Sequence, residues 1–195
     1  MNLQSRIVNL LAKPKQEWLA ISAESGDVVS LYKEYIIPLS AIPAVCGFLG
    51  ATLVGVTIPY WGTFRTPFSN GLVGLMMGYI VSLIGTYLAA VIVDRLAPSF
   101  ESTGGIIPSL KMVAFASTPV WVAGVLRLIP ALGLLALLAA LYSIYLFYLG
   151  LPSVMKTPPD KVLPYMVVCA VVLIVISVIV GYITGIFMGV SHLMG

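Results

Sequence analysis

Long uncharged apolar stretches dominate the chain. Ile36 to Phe64, Thr66 to Val93, Leu128 to Met155 and Val162 to Gly195 contain no Asp, Glu, Lys or Arg. Each exceeds the roughly 20 residues with which a helix crosses a hydrocarbon core of about 30 Å. A further stretch, Met112 to Leu126, reaches that length only if Ile106 to Leu110 and Leu128 join it. Lys111 and Arg127 then sit near its ends, where long cationic side chains snorkel toward headgroups. Turn chemistry separates the stretches: Pro59-Tyr60-Trp61-Gly62, Pro98 with Gly104-Gly105, Pro130, and Pro158-Pro159-Asp160. The pattern predicts an all-α membrane protein, a bundle of five transmembrane helices at about 36–58, 71–94, 107–128, 131–152 and 164–190 within a domain of 35–195.

The first 34 residues read differently. Arg6, Lys13, Lys15, Glu17 and Glu24 alternate with Leu3, Ile7, Leu10, Leu11, Trp18 and Ile21, the spacing of short amphipathic helices broken at Pro14. Such helices lie along a membrane surface. The leading segment carries eight charges before the first apolar run, unlike a cleaved signal peptide, whose apolar core starts close to the beginning.

Composition agrees with this reading. Of 195 residues 60% are hydrophobic and 9% charged, and mean hydropathy is +1.08; a water-soluble chain of this size would expose large apolar patches. The formal charge of +3 comes from scattered cations, with no basic track for nucleic acid. It serves topology instead. With five spans, Arg6, Lys13, Lys15, Lys33, Arg95, Lys111, Lys156 and Lys161 fall on one side and only Arg65 and Arg127 on the other. That asymmetry puts the amino terminus in the cytoplasm and the carboxyl terminus outside.

Chemistry is sparse. His192 is the only histidine, near the carboxyl end, so the sequence offers no HExxH zinc site, and it has no Gly-rich phosphate loop. Cys46 and Cys169 lie in apolar runs and read as small packing residues. The expectation is a non-enzyme with no metal and no cofactor. The polar positions that stand out at membrane depth are Asp94 beside Arg95, then Lys111 and Arg127, and a tyrosine face of Tyr142, Tyr145 and Tyr148. Trp61 and Trp121, with Tyr60, read as interfacial or packing aromatics. Small residues recur every four positions at Gly74, Gly78, Ser82, Thr86 and Ala90, at Ser177, Gly181, Gly185 and Gly189, and at Gly47, Ala51 and Gly55. These stripes read first as helix-packing faces within the chain.

Several segments together resemble the bacterial branch of the Yip domain family. They are Lys13-Pro14-Lys15-Gln16-Glu17-Trp18, Tyr35-Ile36-Ile37-Pro38-Leu39, Phe115-Ala116-Ser117-Thr118-Pro119, and the run from Leu141 through Gly150-Leu151-Pro152 to Met155-Lys156 and Pro159-Asp160-Lys161. The resemblance implies a five-span protein of a bacterial inner membrane with its amino terminus inside. The family's eukaryotic members are associated with Rab-type GTPases. Their acidic-Leu-Tyr-Gly-Pro motif is absent; the comparable stretch reads Lys33-Glu34-Tyr35-Ile36-Ile37-Pro38, so GTPase binding does not carry over. The expected partners are the lipid bilayer and other membrane proteins or a second copy of the chain. Two functions follow: a membrane scaffold, or an oligomeric channel or transporter with Asp94, Lys111, Arg127 and the tyrosine face along its path.

Overall fold

The computed structural model describes residues 2–58 and 62–193. Side chains at 56–58, 130, 131, 133, 176, 177 and 179–193 lie outside that description, and with them His192 and the stripe from Ser177 to Gly189. Tyr60 and Trp61 lie outside it as well.

Two short helices lead the chain, α1 (Leu3–Ala12) and α2 (Pro14–Ala23), with Pro14 in the first turn of α2, where its missing N–H costs nothing. Asp27 caps α3 (Val28–Leu31) by accepting from the Val29 and Ser30 amides at 2.8 and 2.9 Å. Those bonds hold its carboxyl below the usual aspartate value. The helix then widens into a π turn over Tyr32–Ile36 before α4 (Ile37–Leu49). Pro38 explains the widening: its ring would strike the Glu34 carbonyl in a regular α-turn, and a wider turn moves that carbonyl away. A second π turn, Gly50–Val54, ends at Gly55, whose φ of 81° turns the chain into a hairpin. There β1 (Val56–Ile58) pairs antiparallel with β2 (Gly62–Phe64), Val56 opposite Phe64.

From the hairpin α5 (Phe68–Leu96) returns along the bundle. α6 (Ile106–Ala116) and α7 (Thr118–Val122) follow, then 3-10 turns over Ala123–Leu128 and Pro130–Leu135, α8 (Ala136–Val154) and α9 (Pro159–Leu193). The fourth predicted segment thus becomes α-helical only at Ala136, because Pro130 and the residues after it wind as 3-10.

The break between α6 and α7 also has a local cause. Pro119 cannot donate to the Phe115 carbonyl, so the Thr118 hydroxyl does so at 2.7 Å, and Ser117 Oγ donates to Val113 O at 2.7 Å. The helix bends 43° there.

Among the described residues Val28–Val54, Phe68–Phe100 and Ala136–Val154 are long and apolar enough to cross a bilayer, and Ile106–Ala116 with Thr118–Leu128 makes a fourth if the bend lies within one span. Their outward faces carry residues such as Val73, Met77, Ile84, Leu138 and Ile144, all about half exposed or more, which suits hydrocarbon rather than water. This is an all-α membrane protein. The expected fifth span falls on α9, uncharged from Val162 onward.

Close approach occurs at particular glycines. A Cβ on Gly50 would stand 2.0 Å from the Arg127 carbonyl oxygen, and one on Gly124 2.6 Å from Pro43 Cβ, so α4 and the 3-10 turn after α7 meet backbone to backbone. The predicted packing stripe on α5 divides in two. Thr86 and Ala90 are buried and pack within the chain as expected, whereas Gly74 and Gly78 have no described residue within 4 Å of an added Cβ, so that half of the stripe is not a packing face among the described residues.

Gly150 makes the tightest side-chain seat: its Cβ would meet Met112 Sδ at 2.6 Å and the Trp18 ring at 2.9 Å. Gly150→Leu is therefore expected to evict Trp18 and destabilise the protein by about 1–3 kcal/mol, the scale of overpacking a filled core. Thermal melting in detergent would show a lowered Tm for Gly150→Leu and a near-native one for Gly78→Leu; equal Tm losses would contradict this packing.

Candidate functional site

Three of the four segments that carry the family resemblance meet at the Phe115 ring, and the fourth joins them through Gly150, which lies against Trp18. Trp18 meets that ring edge-on with centroids 6.3 Å apart, Tyr35 packs at 4.5 Å, and the Arg6 guanidinium lies 5.4 Å above its centre. Tyr35 hydrogen-bonds Thr118 Oγ1 at 2.6 Å. Since the Thr118 proton goes to Phe115 O, Tyr35 is the donor.

Charge holds this cluster together. Arg6 Nη1 donates to Glu17 Oε1 at 2.8 Å, and Nη2 donates to both oxygens of Glu24 at 2.5 Å. Arg6 and Glu17 side chains are each 7% exposed. A buried ion pair of this kind contributes less by existing than it would cost to halve, because the surviving charge has no water to turn to. α1 and α2 thus present a charged inner face as well as the apolar residues Leu10, Trp18 and Ile21.

Lys111, on α6, completes the attachment. Its Nζ donates to Ile21 O at 3.1 Å and to Glu24 O at 2.5 Å, the open carbonyls at the carboxyl end of α2. A cation there satisfies unpaired acceptors and complements the helix dipole. Lys111 is 9% exposed, so its amine is turned into the protein and does not snorkel outward. Tyr142, on α8, donates to Leu11 O at 2.9 Å and pins the end of α1. Together these contacts make α1 and α2 a cap fixed to one end of the bundle. A cavity of about 140 Å³ remains beside the clamp, lined by Arg6, Glu24, Asp27, Ser30, Glu34, Tyr35 and Lys111 among others.

The remaining sequence-selected positions do not gather. Asp94 Oδ1 accepts from the Gly105 amide at 2.5 Å and so caps α6, while its neighbour Arg95 is exposed and outside every ion pair among the described residues. Arg127 lies at the opposite end of the bundle, its Cδ against Gly47. Tyr145 lies tilted against Tyr142 with ring centroids 5.7 Å apart, and Tyr145 and Tyr148 are 42% and 44% exposed. Asp94, Lys111, Arg127 and the tyrosine face therefore do not line a common path. Trp121 is buried and packs near Tyr35.

Sequence reasoning missed Arg6, Glu17 and Glu24, which read as the solvated face of an amphipathic helix. A signal was present: Arg6 and Leu10, then Glu17, Trp18 and Ile21, share helix faces at spacings of three and four, so the charges travel with the apolar stripe.

A helical membrane protein with its leading helices clamped beneath the bundle is what the fold and this site define. Comparison with known families matches residues 8–188 to the Yip1 domain, and the chain belongs to that family. Curated relatives include an inner membrane protein, YohC, of Escherichia coli strain K12, 22% identical over 164 residues that cover 83% of this chain and 84% of the relative. The same protein of Escherichia coli O6:H1 matches with identical figures. No solved structure matches the chain.

Arg6→Ala leaves Glu17 buried without its cation and is expected to cost about 3–5 kcal/mol. Glu24→Gln, at a side chain 43% exposed, is expected to cost much less. Limited proteolysis with melting curves checks this: Arg6→Ala should be cut early between α1 and α2, and Glu24→Gln should resist like the parent.

Proposed function

We propose that the protein is a non-enzymatic scaffold of the inner membrane that binds partner proteins or organises the bilayer through its clamped cap. The clamp is the observation that carries this reading. A cap held by buried charge at Arg6 and Glu17 presents a fixed outer surface, on which Val8 and Leu19 are 54% and 63% exposed beside exposed Lys13 and Lys15. Apolar side chains rimmed by lysines suit a headgroup interface or a membrane-embedded partner. The cap faces the cytoplasm, as the positive-inside distribution of Lys and Arg favours. Membership in the Yip1 domain family and similarity to an inner membrane protein support the location.

A conduit is the second reading, favoured by a cleft of about 500 Å³ that Arg127 lines. The separation of Asp94, Lys111 and Arg127 weighs against it.

Photocrosslinking from position 19, with a photoreactive residue replacing Leu19 in native membranes, distinguishes the readings. Discrete protein or lipid adducts that disappear with Arg6→Ala are expected of a clamped docking surface. Absence of adducts, together with ion flux in proteoliposomes carrying the purified protein, would replace the scaffold by the conduit.

A further inference from the structure

All seven side-chain carboxylates of the protein lie toward the capped end of the bundle. Glu17 and Glu24 hold Arg6, Asp27 caps α3, Glu34 sits in the π turn before α4, Asp94 caps α6, Glu101 lies 3.7 Å from Lys161, and Asp160 is in the first turn of α9. The opposite end carries Arg65 and Arg127, with no side-chain carboxylate among the described residues to meet them. Arg127 makes no side-chain hydrogen bond or ion pair among the described residues.

Arg127 also lines the cleft between α4 and α5, about 500 Å³, the volume of a small-molecule site. Along one wall the cleft runs from Ser82 past Gly78 and Gly74 to Asn70 and Thr66. The α5 portion, 70–82, spans about 18 Å at 1.5 Å per residue, the depth of one leaflet of a core about 30 Å thick. Gly74 and Gly78 meet nothing within 4 Å among the described residues, so no described side chain fills that wall. The cleft thus has an open apolar floor one leaflet long and, at its uncapped end, an uncompensated guanidinium with the polar Thr66 and Asn70 beside it.

We propose that this cleft seats one phospholipid with an anionic headgroup, its acyl chain along Gly74 and Gly78 and its phosphate on Arg127. Charge complementarity selects the occupant: a guanidinium donates to a phosphate in a two-pronged fork, and where a zwitterionic headgroup offsets that phosphate with its own ammonium, an anionic headgroup leaves its net negative charge to Arg127. A neutral acyl compound would fill the floor and leave Arg127 unanswered. The seat is independent of the cap and of what the cap binds.

Native mass spectrometry of the purified protein, with phosphatidylglycerol and phosphatidylcholine supplied at equal concentration, tests the assignment. The parent should retain phosphatidylglycerol about fivefold over phosphatidylcholine, the scale of one basic residue acting on an anionic lipid. Arg127→Gln should lose that preference, whereas Arg127→Lys and Arg65→Gln should keep most of it; Gly78→Leu should reduce retention of both lipids at an unchanged Tm. Equal retention of the two lipids by the parent, or a preference that survives Arg127→Gln, overturns the proposal. So does a Gly78→Leu protein that retains lipid normally but converts from dimer to monomer, since a second copy would then fill the cleft.

Discussion

Everything at the capped end of the molecule depends on a buried arginine. The Arg6 guanidinium, at 7% side-chain exposure, must find oxygen acceptors within the fold. Glu17 and Glu24 supply that oxygen, and both come from the segment just after α1, so satisfying Arg6 folds α1 against α2. The pair then needs a floor, which Phe115 provides, and an attachment to the bundle, which Lys111 provides through the last carbonyls of α2. The amphipathic leader is thereby a fixed structural layer.

This dependence gives the short segments that carry the family resemblance a physical meaning. Pro14 starts α2 after its break from α1. Gly150 is small because Trp18 and Met112 occupy the space of a side chain. The Ser117-Thr118-Pro119 step removes one backbone donor and supplies two hydroxyls, so that the bend leaves the Phe115 and Val113 carbonyls paired. Pro38 forces the π turn that carries Tyr35 among the aromatics around Phe115.

How much of this was legible in sequence divides along a physical line. Long uncharged runs declare membrane helices because every backbone group must be satisfied within the segment, and the helices from Val28, Phe68 and Ala136 follow from that alone. The early helical start at Val28 depends on the Asp27 cap and the late α-helical start at Ala136 on the winding after Pro130, neither of which apolar runs encode. The site was less legible. Isolated charges such as Asp94, Lys111 and Arg127 attract notice in an apolar context, while Arg6, Glu17 and Glu24 look ordinary among other charges. Their spacing with the apolar stripe marks Arg6 and Glu17 as inward-facing, but the contacts of Arg6 and of the α2 end with α6, more than 85 positions away, are not encoded within the leader. The small-residue stripe on α5 was half legible: Thr86 and Ala90 pack within the chain, but Gly74 and Gly78 do not, since small residues mark a face where something approaches closely and do not say whether that is a helix or lipid.

Hydrogen–deuterium exchange of the full-length protein in lipid nanodiscs tests the central claim, that α1 and α2 are a clamped layer of the fold. The account predicts amides of α2 protected to the same extent as those of α6, with both losing protection together when denaturant is raised. Exchange of α2 at the rate of a free peptide, while α6 stays protected, would contradict it.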